Sequence, residues 1–393
     1  MMPAHSRPLA TTALPLLALL ALGACSREAD REDRPTIVEP APTPAPAPPR
    51  PEAELHTVER LLMGTGWRVS IWGDDAAAAR RDGELALEEV ARLEQILSEW
   101  RPTSDISRLN AAAGTEPIVV DPALFDCVRA SLDVARWSGG AYDVSWAVMR
   151  DVWRFGDNGR DVPPTAAEVQ ARLPLWNWER IRVNDEQRSV LLEQRGMQIG
   201  LGGVAKGYAL DRAHDLLVRA GHENFMLFAG GQVLVRGLRG GRKWRVGIQH
   251  PREPRYFAFV EVTNASVATS GDYEHSFMYE GRRYHHILDP ETGFPSERST
   301  SVTVIAPTGL WADAVDTAVF ILGPERGLPL LEHAPGGRAE DIAVDTEMRV
   351  WATPGGAEAL ILRAELDAAW HIGPEAPRDG VDARLSELPA PVR

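Results

Sequence analysis

The sequence predicts an α+β protein in which one large mixed domain spans residues 56–363. Within this span, segments with the 3.6-residue period of helices alternate with segments that have the two-residue period of strands. No internal repeat and no Pro-rich break interrupts it, and its length is ample for a buried core. A single domain of intermixed helices and strands is therefore expected, with segments of different character before and after it.

The chain begins with a segment that is typical of export. Arg7 stands in a short polar start, and the apolar run LATTALPLLALLALGAC is too short to span a bilayer comfortably. The run ends in LGAC, which resembles the lipobox of bacterial lipoproteins, where the peptide is cut before a cysteine that becomes lipidated. We therefore predict a signal peptide over residues 1–24 and an exported lipoprotein that is anchored in a membrane through Cys25, on the periplasmic side. An ordinary signal peptide that happens to contain a cysteine is the alternative.

The segment after the proposed lipid anchor differs in composition from the rest of the chain. Residues 25–55 begin with Cys25, continue with charged residues and become Pro-rich in PTIVEPAPTPAPAPPRP. Such a sequence favours an extended, disordered tether over a packed core. A tether behind a lipidated cysteine would hold the following domain away from the membrane.

Three helices are predicted in the first half of the domain. The stretch ELALEEVARLEQILSEW has apolar residues at helical spacing. The second helix has Asp121 as N-cap and Pro122 at its first position, and Gly139 lies beyond its end. The third follows GLGGVAKG and ends before Gly221. The apolar positions of the first and third helices are Ala86, Val90, Leu93, Leu97, Trp100, Leu210, Ala213, Leu217 and Ala220.

Strands are predicted near the start of the domain and in its second half. MGTGWRVSIWG is expected to form one strand, and NFMLFAGG, KWRVGI, YFAFVEV and TSVTVIA to form others between residues 224 and 306. Residues 364–393 are expected to be a loosely attached tail.

The stretch SVTVIAPTGLWADAVDTAVFILG places three oxygen-bearing side chains in an apolar segment. If Trp311–Leu322 is one helix, as the closing Gly-Pro indicates, Asp313, Asp316 and Thr317 share a face. In one interpretation, Asp313 caps the helix and Thr317 bonds back to the preceding turn. In the other, the three residues form a site for a hard cation such as Mg²⁺, which takes oxygen ligands.

Two further motifs could carry chemistry. GLGGVAKGYALD sets glycines and Lys206 before a helix, where backbone N–H groups could meet a phosphate, although the spacing is not that of a P-loop and a tight turn explains it equally. GRRYHHILDPETGFP carries His285, His286 and Asp289. A zinc site would need further partners, whereas His286 could act as a general base, and a structurally bonded histidine remains the alternative. No GxSxG motif or reactive cysteine favours a serine or cysteine hydrolase.

Charge and cysteine content exclude some functions. The chain has 56 acidic and 42 basic residues, a net charge of −14 and no basic tract, so nucleic acid is not an expected partner. A phosphate-bearing substrate would need local cations or a metal. The second cysteine, Cys127, is expected to be a small buried apolar residue without a catalytic role.

Taken together and in this order, these motifs resemble the FAD:protein FMN transferase (ApbE) family. The resemblance covers about residues 60 to 355. It implies a domain of the ApbE or T-fold-like type. It also implies Mg²⁺-dependent transfer of FMN from FAD to a Thr or Ser of an exported or membrane redox protein, with release of AMP. The motifs that carry it are MGTGWRVSIW, SEWRPTSDISRLN, GGAYDVSWAVMRDVWRFG, GLGGVAKGYALD, FAGGQV, WRVGIQHP, ASVATSGDYEH, YHHILDPETGFP and ADAVDTAVFILG.

The resemblance also implies roles for individual residues. Asp313, Thr317 and the carbonyl of Gly203 fall on metal-ligand positions, whereas Asp316 matches none. His286 falls on the position of a functional histidine. The positions implied to contact the flavin nucleotide are Met63, Asp143, Lys206, Asp211, Gly230, Gly231, Thr269 and Ser270.

Two positions depart from the family pattern. Val144 stands where the family usually has Pro. Gly200 stands where it usually has Asp, which removes a carboxylate and puts a local polar contact in doubt.

Three other functions stay open. A FAD pyrophosphatase that yields FMN and AMP would use the same pocket. A flavin-binding lipoprotein without turnover is a second alternative. A zinc hydrolase built on His285, His286 and Asp289 is the third.

Overall fold

The structure is a computed structural model, and it describes residues 52–156, 159–362 and 371–372. The predicted signal peptide, Cys25 and nearly all of the predicted tether lie outside the described residues. Within the described ranges, no helix combines the length and apolar character needed to cross a membrane.

The described residues form intermixed strands and helices, which confirms the α+β prediction. The strands are β1 (Glu54–Leu62), β2 (Thr65–Gly73), β3 (Ile118–Val119), β4 (Ile181–Asn184), β5 (Ser189–Leu192), β6 (Phe225–Ala229), β7 (Gln232–Arg236), β8 (Trp244–Gln249), β9 (Tyr256–Val262), β10 (Ala265–Gly271), β11 (Ser276–Tyr279), β12 (Arg282–His285), β13 (Ser299–Ala306), β14 (Glu340–Asp345), β15 (Val350–Ala352), β16 (Leu360–Leu362) and β17 (His371–Ile372). The α-helices are α1 (Ala76–Leu97), α2 (Asp105–Ala111), α3 (Pro122–Trp137), α4 (Ala166–Arg172), α5 (Ala205–Arg219), α6 (Gly309–Leu322), α7 (Pro324–Gly327) and α8 (Pro354–Ala359). Short 3₁₀ helices cover Val144–Met149, Leu173–Leu175, Trp178–Arg180 and Leu328–His333.

A nine-stranded sheet in the order β1-β2-β6-β7-β10-β13-β14-β15-β17 organises the described part of the chain. Its neighbouring strands are antiparallel except for the final pair, β15 and β17. Smaller sheets are formed by β11-β12, by β16-β9-β8 and by β3-β5-β4. Helix α1 packs on β1 and β2, α5 on β6 and β7, and α6 on β10 and β13. These three helices therefore lie on one face of the large sheet.

The large sheet has an apolar core on each face, because the side chains of its strands point alternately to the two faces. In β6, Phe225 and Leu227 belong to the core under the helices, whereas Met226 and Phe228 pack against the core on the opposite face. That second core also contains β8 and β9 residues such as Phe257. Because successive side chains of a strand point to opposite faces, one apolar strand can contribute to both layers.

The three predicted helices exist, but one apolar residue predicted for the first helix and one for the third were misassigned. Ala86, Val90, Leu93 and Leu97 are buried along α1 as expected. Trp100, however, lies beyond the helix and is 74% exposed, so its assignment to the apolar stripe was wrong. The helix ends at Leu97 because the chain then turns, with the Arg101 N–H donating to the Ser98 carbonyl.

The capping signals of the second and third helices were interpreted correctly. Asp121 Oδ1 accepts from the Ala123 N–H at 2.8 Å, and Pro122 is the first residue of α3. Gly139, beyond the helix end, has a φ of 65°, a conformation that glycine adopts most readily. Helix α5 carries the expected buried residues Leu210, Ala213 and Leu217, whereas Ala220 is the exposed C-cap residue, so its assignment to the stripe was wrong.

The edges of the domain differ from the sequence-based boundaries. Strand β1 begins at Glu54, two residues before the expected start of the domain, and pairs with β2 along its whole length. The stretch that was expected to be one strand includes the turn at Met63 and Gly64, and β2 starts only at Thr65. Near the other end, residues 371–372 pair with β15, while the rest of the predicted tail lies outside the described residues.

Candidate active site

The start of α6 is capped by residues other than Asp313. Thr308 is the N-cap residue, and its hydroxyl accepts from the Trp311 N–H at 3.5 Å. The two oxygens of Asp211, from α5, accept from the Gly309 and Leu310 N–H groups at 2.6 and 2.9 Å. These groups satisfy the first amides of the helix, so the interpretation of Asp313 as a cap was wrong.

Asp313 instead connects α6 to the start of α5. Its side chain is buried, and its Oδ2 accepts from the Gly207 N–H at 3.0 Å. Its Oδ1 lies 3.5 Å from Lys206 Nζ, which also donates to the Gly202 carbonyl at 3.1 Å. The glycine-rich segment before α5 therefore lies against the polar face of α6.

Thr317 lies one turn further along α6 and contacts two more oxygen-bearing side chains. Its Oγ1 is 3.1 Å from Asp316 Oδ1 and 3.5 Å from Ser270 Oγ, at the end of β10. A Cβ at Gly203 would lie 3.2 Å from Thr317 Oγ1, so the Gly203 backbone is close to this hydroxyl. The structure thus brings the three sequence-predicted metal residues Gly203, Asp313 and Thr317 together.

Asp316 belongs to the same cluster, as its place on the shared face of α6 indicated, although it matches no ligand position of the family. It is only 2% exposed. Burial raises the pKa of its carboxyl well above the usual range, and the neighbouring Asp313 carboxylate adds to this effect.

His286 lies directly after β12 with one ring nitrogen buried. Its backbone N–H donates to the His275 carbonyl at 3.1 Å, and the two imidazole rings meet edge to face at 5.2 Å. Among the described residues, His286 Nδ1 has no hydrogen-bond partner. Burial lowers the pKa of His286 to about 3, and nearby His275, His285 and Lys206 contribute in the same direction. The ring is therefore neutral at pH 7.

His285 has a structural role. Its Nε2 donates to the Ser296 carbonyl at 2.9 Å and its Nδ1 accepts from the Ile287 N–H at 3.3 Å. Asp289 also has a partner within the protein, because its Oδ2 accepts from the Arg298 guanidinium at 2.7 Å. No group of three or more His, Cys, Asp or Glu residues in the described part of the chain is placed to hold a metal ion. The arrangement therefore disfavours the zinc-site alternative.

Three of the predicted flavin-contact residues lie in two adjacent hairpin turns. Met63 has a φ of 49°, and Gly230 and Gly231 have φ values of 51° and 95°. The Gly230 N–H donates to the Gly66 carbonyl at 3.2 Å, which joins the turns. A Cβ at Gly230 would lie 2.4 Å from Thr65 Oγ1, so only glycine fits there.

The remaining predicted flavin contacts, Thr269, Asp143 and Asp211, also have partners within the protein. Thr269 Oγ1 lies 3.0 Å from Thr303 Oγ1 on β13. Asp143 accepts from the Ser145 N–H at 2.8 Å and from the Trp178 N–H at 2.9 Å, and burial raises its pKa to about 6. Burial also raises the pKa of Asp211 to about 6. Asp143 and Asp211 both bind backbone amides, so each fixes the local fold.

A cleft of about 810 Å³ lies elsewhere on the domain. It is lined by α3, α5, β7 and the start of α6, and Asp211 is the one predicted site residue among its lining residues. The cluster around Asp313 is therefore distinct from this cleft.

Fold and site together define a class, namely α+β proteins with a buried, oxygen-rich acidic site of the kind that suits a hard cation. The chain belongs to the ApbE family, whose sequence profile matches residues 63–340. This finding confirms the family resemblance that the motifs indicated.

Individual relatives agree with this assignment. The chain is 35% identical over 313 residues to a FAD:protein FMN transferase of Treponema pallidum, an alignment that covers 74% of this chain and 85% of the relative. The flavin transferase ApbE from Vibrio cholerae has a similar structure, with a TM-score of 0.71, 27% identity and coverage of 78% of this chain and 99% of that one. The ApbE protein of Thermotoga maritima has a TM-score of 0.68 and 29% identity, with coverage of 79% and 97%.

Proposed function

We propose that this protein transfers the FMN part of FAD to a Thr or Ser hydroxyl of an acceptor protein and releases AMP. The relatives named FAD:protein FMN transferase support the reaction class. The observation that carries the proposal is the cluster of Asp313, Asp316 and Thr317 beside Lys206, with a neutral His286 in the same region. A nucleotide pyrophosphate and a hydroxyl nucleophile need these two kinds of group, one to compensate charge and one to accept a proton.

The cluster has the chemistry of a Mg²⁺ site. Two buried carboxylates, a hydroxyl and a nearby glycine backbone provide oxygen donors, which Mg²⁺ prefers. Burial, together with the neighbouring Asp313 carboxylate, raises the pKa of Asp316, and a divalent cation would stabilise its ionised form. A bound Mg²⁺ would compensate the negative charge of the pyrophosphate. Asp313, Asp316, Thr317 and the carbonyl of Gly203 are the residues proposed to hold it.

His286 is proposed to accept the proton of the acceptor hydroxyl. The hydroxyl oxygen forms a bond to the phosphorus of the FMN phosphate, and the bond from that phosphorus to the bridging oxygen breaks, so AMP leaves with the electron pair. The hydroxyl proton moves to His286, whose ring is neutral at pH 7 beforehand. Lys206 would add positive charge near the phosphates, since its Nζ lies at the edge of the acidic cluster.

Incubation with FAD, Mg²⁺ and candidate acceptor proteins tests the proposal. Mass spectrometry of the acceptor should find covalent FMN on a Thr or Ser, together with stoichiometric AMP. Free FMN and AMP without a labelled acceptor would instead support a FAD pyrophosphatase. Bound flavin without any AMP would support a flavin-binding lipoprotein without turnover.

The site of action is proposed from the sequence of the first 55 residues. The LGAC sequence and the Pro-rich segment support an exported protein that is anchored through a lipid on Cys25 and faces the periplasm. The partner would then be a redox protein with a Thr or Ser exposed on that side of the membrane. Detection of acyl chains on Cys25 by mass spectrometry of the purified protein tests this proposal.

A further inference from the structure

The segment Ile199–Gly203 is held by side chains from three other elements. Asn110, on α2, accepts from the Ile199 N–H at 2.8 Å and donates to the Ile199 carbonyl at 3.0 Å. Trp146 Nε1 donates to the Gly200 carbonyl at 2.9 Å. The third side chain is Glu99, two residues beyond α1. These contacts determine where the segment leads into α5.

One oxygen of the Glu99 carboxylate contacts this segment, and the other contacts the guanidinium of Arg150. Its Oε2 accepts from the Leu201 N–H at 3.2 Å, and its Oε1 lies 3.0 Å from an Arg150 nitrogen. The side chain is only 9% exposed. A Cβ at Gly200 would lie 2.6 Å from Glu99 Oε2. The carboxylate therefore lies directly against the backbone of the segment.

Leu201 links the Glu99 carboxylate to the turn that carries part of the proposed metal site. Its carbonyl accepts from the Val204 and Ala205 N–H groups, which form the turn that starts α5. This turn contains Gly203, whose backbone approaches Thr317, and it precedes Lys206. The ion pair between Glu99 and Arg150 would need no backbone contact, yet one oxygen of the Glu99 carboxylate accepts a hydrogen bond from the Leu201 N–H.

We infer that Glu99 is a positioning residue, which holds the Leu201–Gly203 turn against α6 through its bond to the Leu201 N–H. The inference deepens the proposed function, because the turn carries one of the groups proposed to hold Mg²⁺. Glu99 touches neither substrate nor metal in this role. Without its bond, the Gly203 carbonyl and Lys206 would lose their fixed position relative to Asp313.

Two neutral variants of nearly equal length test the inference. Glu99→Gln keeps an acceptor for the Leu201 N–H, Glu99→Met removes it, and both remove the charge that pairs with Arg150. The difference between them therefore reports the backbone bond alone. Glu94→Gln is the matched control, because Glu94 pairs with Arg101 in the same region and has no described contact with the segment. The measurements are Mg²⁺ affinity by calorimetry without FAD, hydrogen exchange of the Leu201 amide, and the rate of AMP release.

We expect Glu99→Met to bind Mg²⁺ about two- to tenfold more weakly than Glu99→Gln, the effect of one hydrogen bond, with faster exchange at Leu201. Glu94→Gln should resemble the wild type. Equal Mg²⁺ affinity in the two Glu99 variants would overturn the inference, whether both match the wild type or both are equally weakened, since the latter would assign the effect to the Arg150 ion pair. A wild-type protein that releases no AMP from FAD would instead contradict the proposed function, while the comparison of metal affinities would still decide the role of Glu99.

Discussion

At the scale of single residues, the proposed metal site depends on two buried acids of α6, Asp313 and Asp316. Asp313→Asn should leave the melting temperature without metal nearly unchanged, because Asn can still accept from the Gly207 N–H. FMN transfer should be almost lost, with partial recovery at high Mg²⁺, because the charge that attracts the cation is gone. Thr317→Val should lose less, since it removes a neutral oxygen. An active Asp313→Asn enzyme with an unchanged Mg²⁺ requirement would refute the metal assignment.

Asp316→Asn has a different expected outcome from the one that the sequence suggested. The family resemblance implies that Asn is tolerated there, because Asp316 matches no ligand position. In the structure the carboxyl is buried beside Asp313, so Asn should relieve repulsion and raise the melting temperature of the metal-free protein. The same change should weaken Mg²⁺ binding. Thermal scans with and without Mg²⁺ check both effects, and a variant that keeps wild-type Mg²⁺ stabilisation would restore the original prediction.

His286→Gln should separate catalysis from binding. We expect transfer to fall by about 10²–10⁴-fold, the usual contribution of a general base, with FAD affinity near that of the wild type. His285→Ala should act mainly on stability, because His285 connects the Ser296 carbonyl to the Ile287 N–H. Single-turnover rates and FAD titrations distinguish the two. A loss confined to FAD affinity in His286→Gln would argue that the residue binds nucleotide instead.

The low pKa of His286 also has a consequence for stability. The ring titrates near pH 6.5 in the unfolded chain and at about 3 in the native protein, so between these values the unfolded state holds a proton that the native state lacks. Stability should therefore fall as the pH decreases below about 6.5, by up to ~1.4 kcal/mol per pH unit for this group. Urea unfolding at pH 5 and 7 should show a smaller difference for His286→Gln than for the wild type. An identical difference would mean that the histidine is not desolvated.

At the scale of elements, the crossing of α5 and α6 depends on close backbone contact. A Cβ at Gly207 would lie 2.2 Å from the Gly309 carbonyl oxygen, so Gly207→Ala must push the helices apart. We expect a loss of about 1–3 kcal/mol in the free energy of unfolding and reduced transfer, because the Gly207 N–H also binds Asp313. Gly202→Ala is the control, since its Cβ would meet only Trp146, at 3.6 Å. Similar stabilities of the two variants in urea would contradict this packing argument.

At the scale of the whole molecule, the boundary of the folded domain is set by β1. A protein that starts at Glu52 keeps β1 and should retain wild-type Mg²⁺-dependent transfer, as should Cys25→Ser, which removes only the proposed lipid site. A protein that starts at Met63 would lack β1 and leave the β2 edge unpaired, so we expect a lower melting temperature and aggregation. Calorimetry and size-exclusion chromatography compare the two truncations. A stable, active protein that starts at Met63 would show that β1 is dispensable.

The sequence by itself determined the features that depend on neighbours along the chain. The stripes of α1 and α5, the cap at Asp121 and the end of α6 follow from periodicity and from the unpaired amides of helix ends. The order of the motifs determined the family. It also placed Asp313 and Thr317 on one face of a helix, because residues four apart always share a face.

Only the tertiary structure decided what depends on residues that are distant in the sequence. The low pKa of His286 and the raised pKa of Asp316 follow from desolvation, which no local pattern encodes. The pairing of β1 with β2 and the capping of α6 by Asp211 are likewise set by contacts across the fold. Gly200 stands where the family usually has Asp, which put a local polar contact in doubt, and in the structure the carboxylate of Glu99 lies against Gly200 and accepts from the Leu201 N–H. The physical reason is that burial and hydrogen bonding act between atoms that are close in space, wherever they lie along the chain.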